Sequence, residues 1–170
     1  TGEFVTEVSD ASGMQLLDIA NRQWSSEVLH ALSIDPSLLA SVIESPEISG
    51  RISSKAAQQT GLRPGTIVAG GAGDNAAAAV GTGVVTQGKA FTTIGTSGVV
   101  YAHTDQMVVD PQGRVHTFCC SVPGKWHVMG VTQGAGLSLK WFRDQFCSGE
   151  IETARSMEVD PYVLMDQEAA

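Results

Sequence analysis

Asp74 and Asn75 follow a run of glycines in GGAGDNAAAAVGTG, residues 70–83, directly behind the short apolar stretch TIVA. A strand, a tight glycine turn and a helix start present backbone N–H groups and the positive end of a helix dipole at one point. A carboxylate placed there stays ionised and can take a proton from a hydroxyl, so Asp74 is a candidate general base. The glycines before it leave room for a substrate, and the small alanines after it let the helix pack closely against another layer. Asp is also a favoured helix N-cap, and Asp74 could accept from the N–H groups of Ala76 and Ala77. Capping and catalysis are compatible at this position.

Gly71, Gly73 and Ala76 also fit the loose dinucleotide pattern GxGxxA. That pattern requires an acidic residue about 20 positions on to hold a ribose. No Asp or Glu lies between Asp74 and Asp105, and Asp74 itself would stand where a pyrophosphate should lie. A dinucleotide site is therefore disfavoured.

A second glycine turn, TIGTSG at 93–98, lies between two strand-like segments. Gly95 and Gly98 are expected to allow backbone conformations closed to other residues. The turn fits an ordinary hairpin. It also fits a phosphate cradle made of backbone N–H groups with the Thr96 and Ser97 hydroxyls, a signal that is weak alone and gains weight beside Asp74. No GxxxxGK[ST] occurs, so a nucleotide site here is not of the P-loop type. A carboxylate at a helix start and a phosphate-binding hairpin are together the two halves of a phosphoryl-transfer site.

The elements that position these groups change in kind along the chain. LLDI at 16–19 reads as the end of a strand, and ANRQ as a turn. WSSEVLHALSI reads as a helix capped near Ser25 or Ser26, with Val28, Leu29 and Leu32 on one face. DPSLLASVI reads as a helix with Asp35 as N-cap and Pro36 at its first position. SPEISG is turn material. SSKAAQQTGL gives a helix capped by Ser53 or Ser54 and closed by Gly61. From residue 88 hairpins replace strand-helix units: GKAFTTIGTSGVVYAHTD, then RVHTFCCSVPGKWHVMGV turning at Pro123 and Gly124. A helix follows within TQGAGLSLKWFRDQF, with Leu137 over Trp141 and Phe142 over Phe146, and Asp160-Pro161 opens another. The domain boundary is expected at 84–88, in VVTQG.

Composition narrows the class. The 170 residues are 42% hydrophobic and 16% charged, the balance of a folding globular chain. A formal net charge of -8 with no dense Lys/Arg block argues against nucleic acid as a partner. The longest apolar runs are only a few residues, against roughly 18 needed to cross a bilayer, so no membrane partner is expected and the expected location is the cytoplasm. Cys119, Cys120 and Cys147 have neither CxxC nor zinc-ligand spacing and read as reduced, buried thiols. His30, His103, His116 and His127 show no ligand spacing, and no metal site is assigned. Trp24, Trp126 and Trp141 read as packing residues. Asp10, in SDAS, reads as a local turn or cap, or as part of a cleft wall.

The ordered set SDASGMQLLDIANRQWSSEVL, GLRPGTIVAGGAGDNAAAAVG, TTIGTSGVVY, HTFCCSVPGKWHVMGV and GAGLSLKWFRD resembles the FGGY family of carbohydrate kinases, in its xylulokinase branch. The likeness runs along nearly all of the chain. It implies an α/β, actin-like (ribonuclease H-like) fold, with 1–86 ending the first kinase domain and 87–170 starting the second. It also implies ATP-dependent phosphorylation of a ketopentose, D-xylulose to D-xylulose 5-phosphate in pentose catabolism, with Mg2+ held by ligands outside this chain. By motif, Asp74 is then the catalytic base and, with Asn75, binds the sugar. Gly95, Thr96 and Ser97 lie at the ATP phosphates, and Gly136 and Lys140 approach the nucleotide. The resemblance leaves a homodimer of the full-length enzyme open. Ala78 stands where the branch often has Gly, and Cys120 where it often has His. The family's Asp-Gly-Thr phosphate motif, early sugar-binding segment and later adenosine motif do not occur here, so the chain is expected to be a truncated piece, inactive alone. On sequence, an actin-like or chaperone-like nucleotide-binding protein and a non-catalytic α/β interaction module stay open as alternatives.

Overall fold

Two β-branched segments separated by 33 residues begin the architecture. In a computed structural model that describes all 170 residues, β1 (Val5–Glu7) leads directly into α1 (Val8–Gly13). The antiparallel pair β2 (Leu17–Asp18) and β3 (Gln23–Trp24) follows. After α2 (Ser26–Ala31) and one 3-10 turn, Pro36–Leu38, comes β4 (Ser41–Ile43), which pairs in parallel with β1, Val5 opposite Ser41 and Glu7 opposite Ile43. Then β5 (Ile48–Arg51), α3 (Ser54–Thr60) and β6 (Ile67–Ala69) form an antiparallel pair bridged by a helix. α4 (Asp74–Gly81) follows the glycine run. Next are β7 (Ala90–Ile94), β8 (Gly98–Thr104), β9 (His116–Cys119) and β10 (Trp126–Thr132), forming a sheet in the order β7-β8-β10-β9. The chain ends in α5 (Gly136–Phe146), α6 (Ser148–Met157) and α7 (Pro161–Ala169). The class is mixed α/β, and no helix is long and apolar enough to cross a membrane.

The chain divides into two compact units, Thr1–Phe91 with Tyr101–Gly130, and Thr92–Val100 with Val131–Ala170. In the first unit, Val8, Ala11, Leu17 and Cys119 form one buried cluster, with Trp24, Val42 and Trp126 packed against it. Both of these tryptophans donate their indole N–H to a backbone carbonyl, Trp24 to Ala40 and Trp126 to Ile19, each at 2.8 Å. Arg22 straps the same region. Its guanidinium bonds Glu44 at 2.7 Å and the Lys125 carbonyl at 2.9 Å, and lies over the Trp126 ring. A second cluster joins Ala79 of α4 to Val84, Tyr101 and Phe91. Ala76 and Ala79, three residues apart, are the buried face of α4, as the alanine run foretold. In the second unit, α5 stacks Phe142 on Phe146 at 5.5 Å as expected, and Trp141 meets the same Phe146 edge-on at 5.3 Å.

Several expectations need correction. DPSLLASVI is not one helix: Asp35 does cap, accepting from Ser37 N–H at 2.9 Å, but the helix stops after a single turn. The β-branched Val42 and Ile43 gain a parallel partner in β1 instead, a tertiary reward that local propensity does not contain. SPEISG gives up its second half to β5. SDAS lies inside the helix α1, whose N-cap is Glu7 and not Asp10. Ser25 and Ser53 cap α2 and α3 as read, and Gly61 ends α3 in the left-handed conformation. Leu32, however, is 60% exposed, while Leu29 alone carries the buried face of α2. Trp141 is 57% exposed, unlike the other two tryptophans. The three cysteines are free and buried.

His127, on β10, is 3% exposed and sits between Tyr101, stacked at 4.2 Å, and Phe118, edge-on at 5.5 Å. Burial, with neighbouring His103 as the lesser cause, pushes its imidazole down to about 4 from 6.5. A base held neutral in this way stabilises fully above its unfolded value, and that stability is lost as pH falls from about 6.5 towards 4. Between about pH 7 and about pH 4.5 the loss should reach about 2 kcal/mol. Urea titrations at about pH 7 and about pH 4.5 should show it, with a smaller loss in His127→Phe; equal losses in the two proteins would refute the assignment.

Candidate active site

Asp74 reaches its place through a buried carboxylate at the end of β1. Glu7 is 3% exposed and accepts five hydrogen bonds. The donors are Ser9 N–H at 2.8 Å, Ser9 Oγ at 2.6 Å, Asp10 N–H at 2.6 Å, Ser45 Oγ at 2.6 Å and Gly73 N–H at 3.2 Å. Gly73 N–H also donates to Ser9 Oγ at 3.0 Å. One side chain thus caps α1, fixes the loop after β4 and holds the glycine run one residue before Asp74. Sequence reasoning passed over Glu7. An acidic residue at a strand end, two and three positions before Ser9 and Asp10, was a readable cap signal.

The rest of the glycine run is held by main chain. Gly70 N–H donates to the Glu47 carbonyl at 2.8 Å and Gly71 N–H to the Ser45 carbonyl at 3.1 Å. A Cβ on Gly70 would stand 3.0 Å from the Glu44 carbonyl oxygen and 3.1 Å from that of Ser45, and Gly71 turns the chain at φ +88°. Glycine is required at both positions, at the first for close approach and at the second for conformation.

Asp74 is the first helical residue of α4, and Gly73 is the N-cap. The expected cap bonds to Ala76 and Ala77 do not form. The carboxylate instead accepts from Asn75, through Oδ1, from N–H at 2.7 Å and Nδ2 at 3.2 Å. Asn75 therefore orients Asp74, and Oδ2 is left free. The carboxylate is exposed and lies on the walls of two adjoining cavities, of about 150 and 310 Å³, which share Asp10, Gly73 and Asp74. The smaller is completed by Asn75 and, from β9 and β10, by Phe118, His127 and Met129. Phe118 and His127 are cross-strand partners, and Met129 is two residues beyond His127, so the period-2 rule puts all three on one sheet face. That alternation was readable in HTFCC and WHVMG.

In the second unit the turn Gly95–Ser97 is fastened to the start of α5. The Gly95 carbonyl accepts from Gly136 N–H at 2.8 Å, and the Thr96 carbonyl from Ala135 N–H at 3.0 Å and Leu137 N–H at 3.3 Å. A Cβ on Gly136 would fall 2.5 Å from the Gly95 oxygen, and one on Gly98 would fall 3.0 Å from Thr132 Cγ2 and 3.1 Å from Ala135 Cβ. Neither Gly95 nor Gly98 has a positive φ. The conformational reason expected for these glycines is replaced by close approach at Gly98, while a Cβ on Gly95 would meet only the Ser97 carbonyl oxygen, at an ordinary 3.8 Å. Across a trans peptide the N–H points opposite the C=O. With the Gly95 and Thr96 carbonyls turned to α5, the N–H groups of Thr96 and Ser97 face the other way, beside their own exposed hydroxyls. Gly95, Thr96, Ser97 and Gly136 are therefore brought together. Lys140 lies one turn along α5, exposed and paired with Asp144 at 3.4 Å.

Residues 1–81 match the model of the FGGY family of carbohydrate kinases, N-terminal domain. The chain is 41% identical over 149 residues to a xylulose kinase of Lactococcus lactis, covering 88% of this chain and 30% of that protein. It is 33% identical over 164 residues to a gluconokinase of Bacillus subtilis, covering 96% and 32%. Among solved structures it is similar to a xyloylose kinase from Brucella ovis, with a TM-score of 0.83 and 35% identity over 100% of this chain and 33% of the other. The chain thus spans about a third of the length of the proteins it matches.

Two substitutions probe the two anchors. Glu7→Gln puts a donor where only donors point, and should cost about 2–3 kcal/mol in urea unfolding while speeding hydrogen exchange at Gly73 N–H. Gly136→Ala must push the Gly95 carbonyl away, and should cost about 1–3 kcal/mol with exchange rising at Ala135 and Leu137. Wild-type exchange at these amides would remove the corresponding anchor.

Proposed function

The chain belongs to the FGGY family of carbohydrate kinases, and we propose that it carries the sugar-side base and part of the phosphate-binding surface of an ATP-dependent ketopentose kinase. The observation that carries this reading is the Asp74 carboxylate: oriented through Oδ1 by Asn75, free at Oδ2, and exposed on a cavity at the start of α4. A sugar hydroxyl in that cavity would give its proton to Asp74 as its oxygen attacks the γ-phosphorus of ATP in line. Asn75 keeps the carboxylate aimed and contacts the sugar. The outward N–H groups of Thr96 and Ser97, with their hydroxyls, would receive the phosphates, and Gly95 and Gly136 fix that turn. Lys140 approaches the nucleotide on this reading and would have to leave Asp144 to do so.

Magnesium, on ligands we assign outside this chain, balances phosphate charge in such a transfer. D-xylulose is the proposed acceptor, supported by xylulose kinases among the relatives at about 40% identity. The gluconokinase makes gluconate the competing acceptor. We also propose the actin-like two-domain arrangement of the full-length enzyme, with the boundary at 86/87; the family-model match that ends at residue 81 supports it.

The test is Asp74→Asn in the full-length gene product, assayed with ATP against D-xylulose and gluconate. A positioned base contributes on the order of 100- to 10,000-fold, so kcat should fall by that factor while ATP affinity stays within about twofold. Wild-type turnover in the variant would remove Asp74 from the chemistry. ATP binding without phosphorylation of any sugar would favour a nucleotide-driven protein that modifies none.

A further inference from the structure

The cavity beside Asp74 has one wall that the reading above leaves without a role. Its floor is formed by α1 and the start of α4, but Phe118, His127 and Met129 close it from the sheet. His127 is the one group there with hydrogen-bonding capacity. It cannot swing, because Tyr101 stacks on one side at 4.2 Å and Phe118 meets it edge-on at 5.5 Å. Its Nδ1 is sealed from solvent without a hydrogen-bond partner, whereas Nε2 is not among the sealed atoms, which leaves that edge of the ring to the cavity it lines.

We infer that His127 is a specificity-determining residue of this cavity, its Nε2 hydrogen-bonding a hydroxyl of a polyhydroxylated ligand whose reacting hydroxyl lies at Asp74. The inference rests on the kinase reading for the reaction, but on the cavity alone for binding. A hydroxyl both donates and accepts, so either tautomer of the neutral ring serves. Burial holds the ring neutral at ordinary pH, so it contributes no charge that would favour an anionic group. Phe118 and Met129 offer apolar surface to the C–H face of the same molecule. Asp10, on the opposite wall, is placed to accept from a second hydroxyl. The three sides differ in kind, one carboxylate pair, one neutral ring and one apolar strip, and a sugar presents that mixture.

His127→Phe keeps an aromatic ring between Tyr101 and Phe118 and removes both nitrogens, while His127→Gln returns a polar atom near Nε2. In the full-length gene product, His127→Phe should raise KM for D-xylulose about tenfold or more, with KM for ATP within about twofold, and His127→Gln should recover part of the loss. D-xylulose titrated calorimetrically without ATP should weaken in parallel, which separates binding from transfer. In the wild-type protein, saturating D-xylulose should shift the ring 15N resonances of His127, a measurement that needs no variant to fold. An unchanged sugar KM in folded His127→Phe, an equal rise in both KM values, or unmoved ring resonances would overturn the inference and leave the kinase reading intact. Binding of D-xylulose without its phosphorylation would overturn the kinase reading and leave the His127 contact to be decided by the same shifts. A wild-type protein that neither binds nor phosphorylates D-xylulose or gluconate would overturn both.

Discussion

A carboxylate withdrawn from water is tolerated only when donors replace the solvent it has lost. Glu7 meets that demand with five donors drawn from three separate stretches: α1, the loop after β4, and the glycine run. Those stretches are distant in sequence, and while Val8 and Ala11 of α1 pack against Val42 of β4, the glycines of the run have no side chains with which to join them. The polar centre sets their geometry, and the alanines of α4 then pack against Val84, Tyr101 and Phe91. Because Gly73 is gripped through its N–H, the residue after it enters the helix with its side chain uncommitted to capping. The freedom of Asp74 Oδ2 is thus a consequence of Glu7 and Ser9 holding the neighbouring residue.

The second unit solves a similar problem without a buried charge. Its turn is held by carbonyls that serve the first N–H groups of α5, which would otherwise lack partners at a helix start. The contact is so close that Gly136 has no room for a methyl group. In each unit a glycine marks the spot where one backbone presses on another.

Much of this was legible in the residues. Ser25, Ser53, Gly61, Asp160-Pro161 and the hairpins of residues 88–132 follow from local chemistry and appear where that chemistry puts them. What was not legible depended on partners far along the chain. Val42 and Ile43 become a strand because β1 is there to receive them. Asp74 does not cap because Asn75 and the Glu7 anchor make another arrangement available. Gly98 is glycine for reasons of space, which no dihedral preference reveals. His127 carried no ligand spacing, and its place on the cavity emerges only when β9 and β10 are set in register. Sequence motifs singled out Asp74, Asn75 and the Thr96–Ser97 turn as candidates, while the groups that orient and surround them were hidden in tertiary pairing.

The outward-facing amides of Thr96 and Ser97 would hold an anion, on the proposed reading, by dipoles alone. Their orientation comes from peptide planes fixed by the Gly95 and Thr96 carbonyls, and the nearby Lys140 is paired with Asp144. A surface made of oriented dipoles prefers anions yet carries no net charge and no titrating group. It offers the same field at every pH at which the fold survives. An anion held at these amides alone would break only hydrogen bonds on leaving, whereas Lys140, once released from Asp144, would add an ion pair.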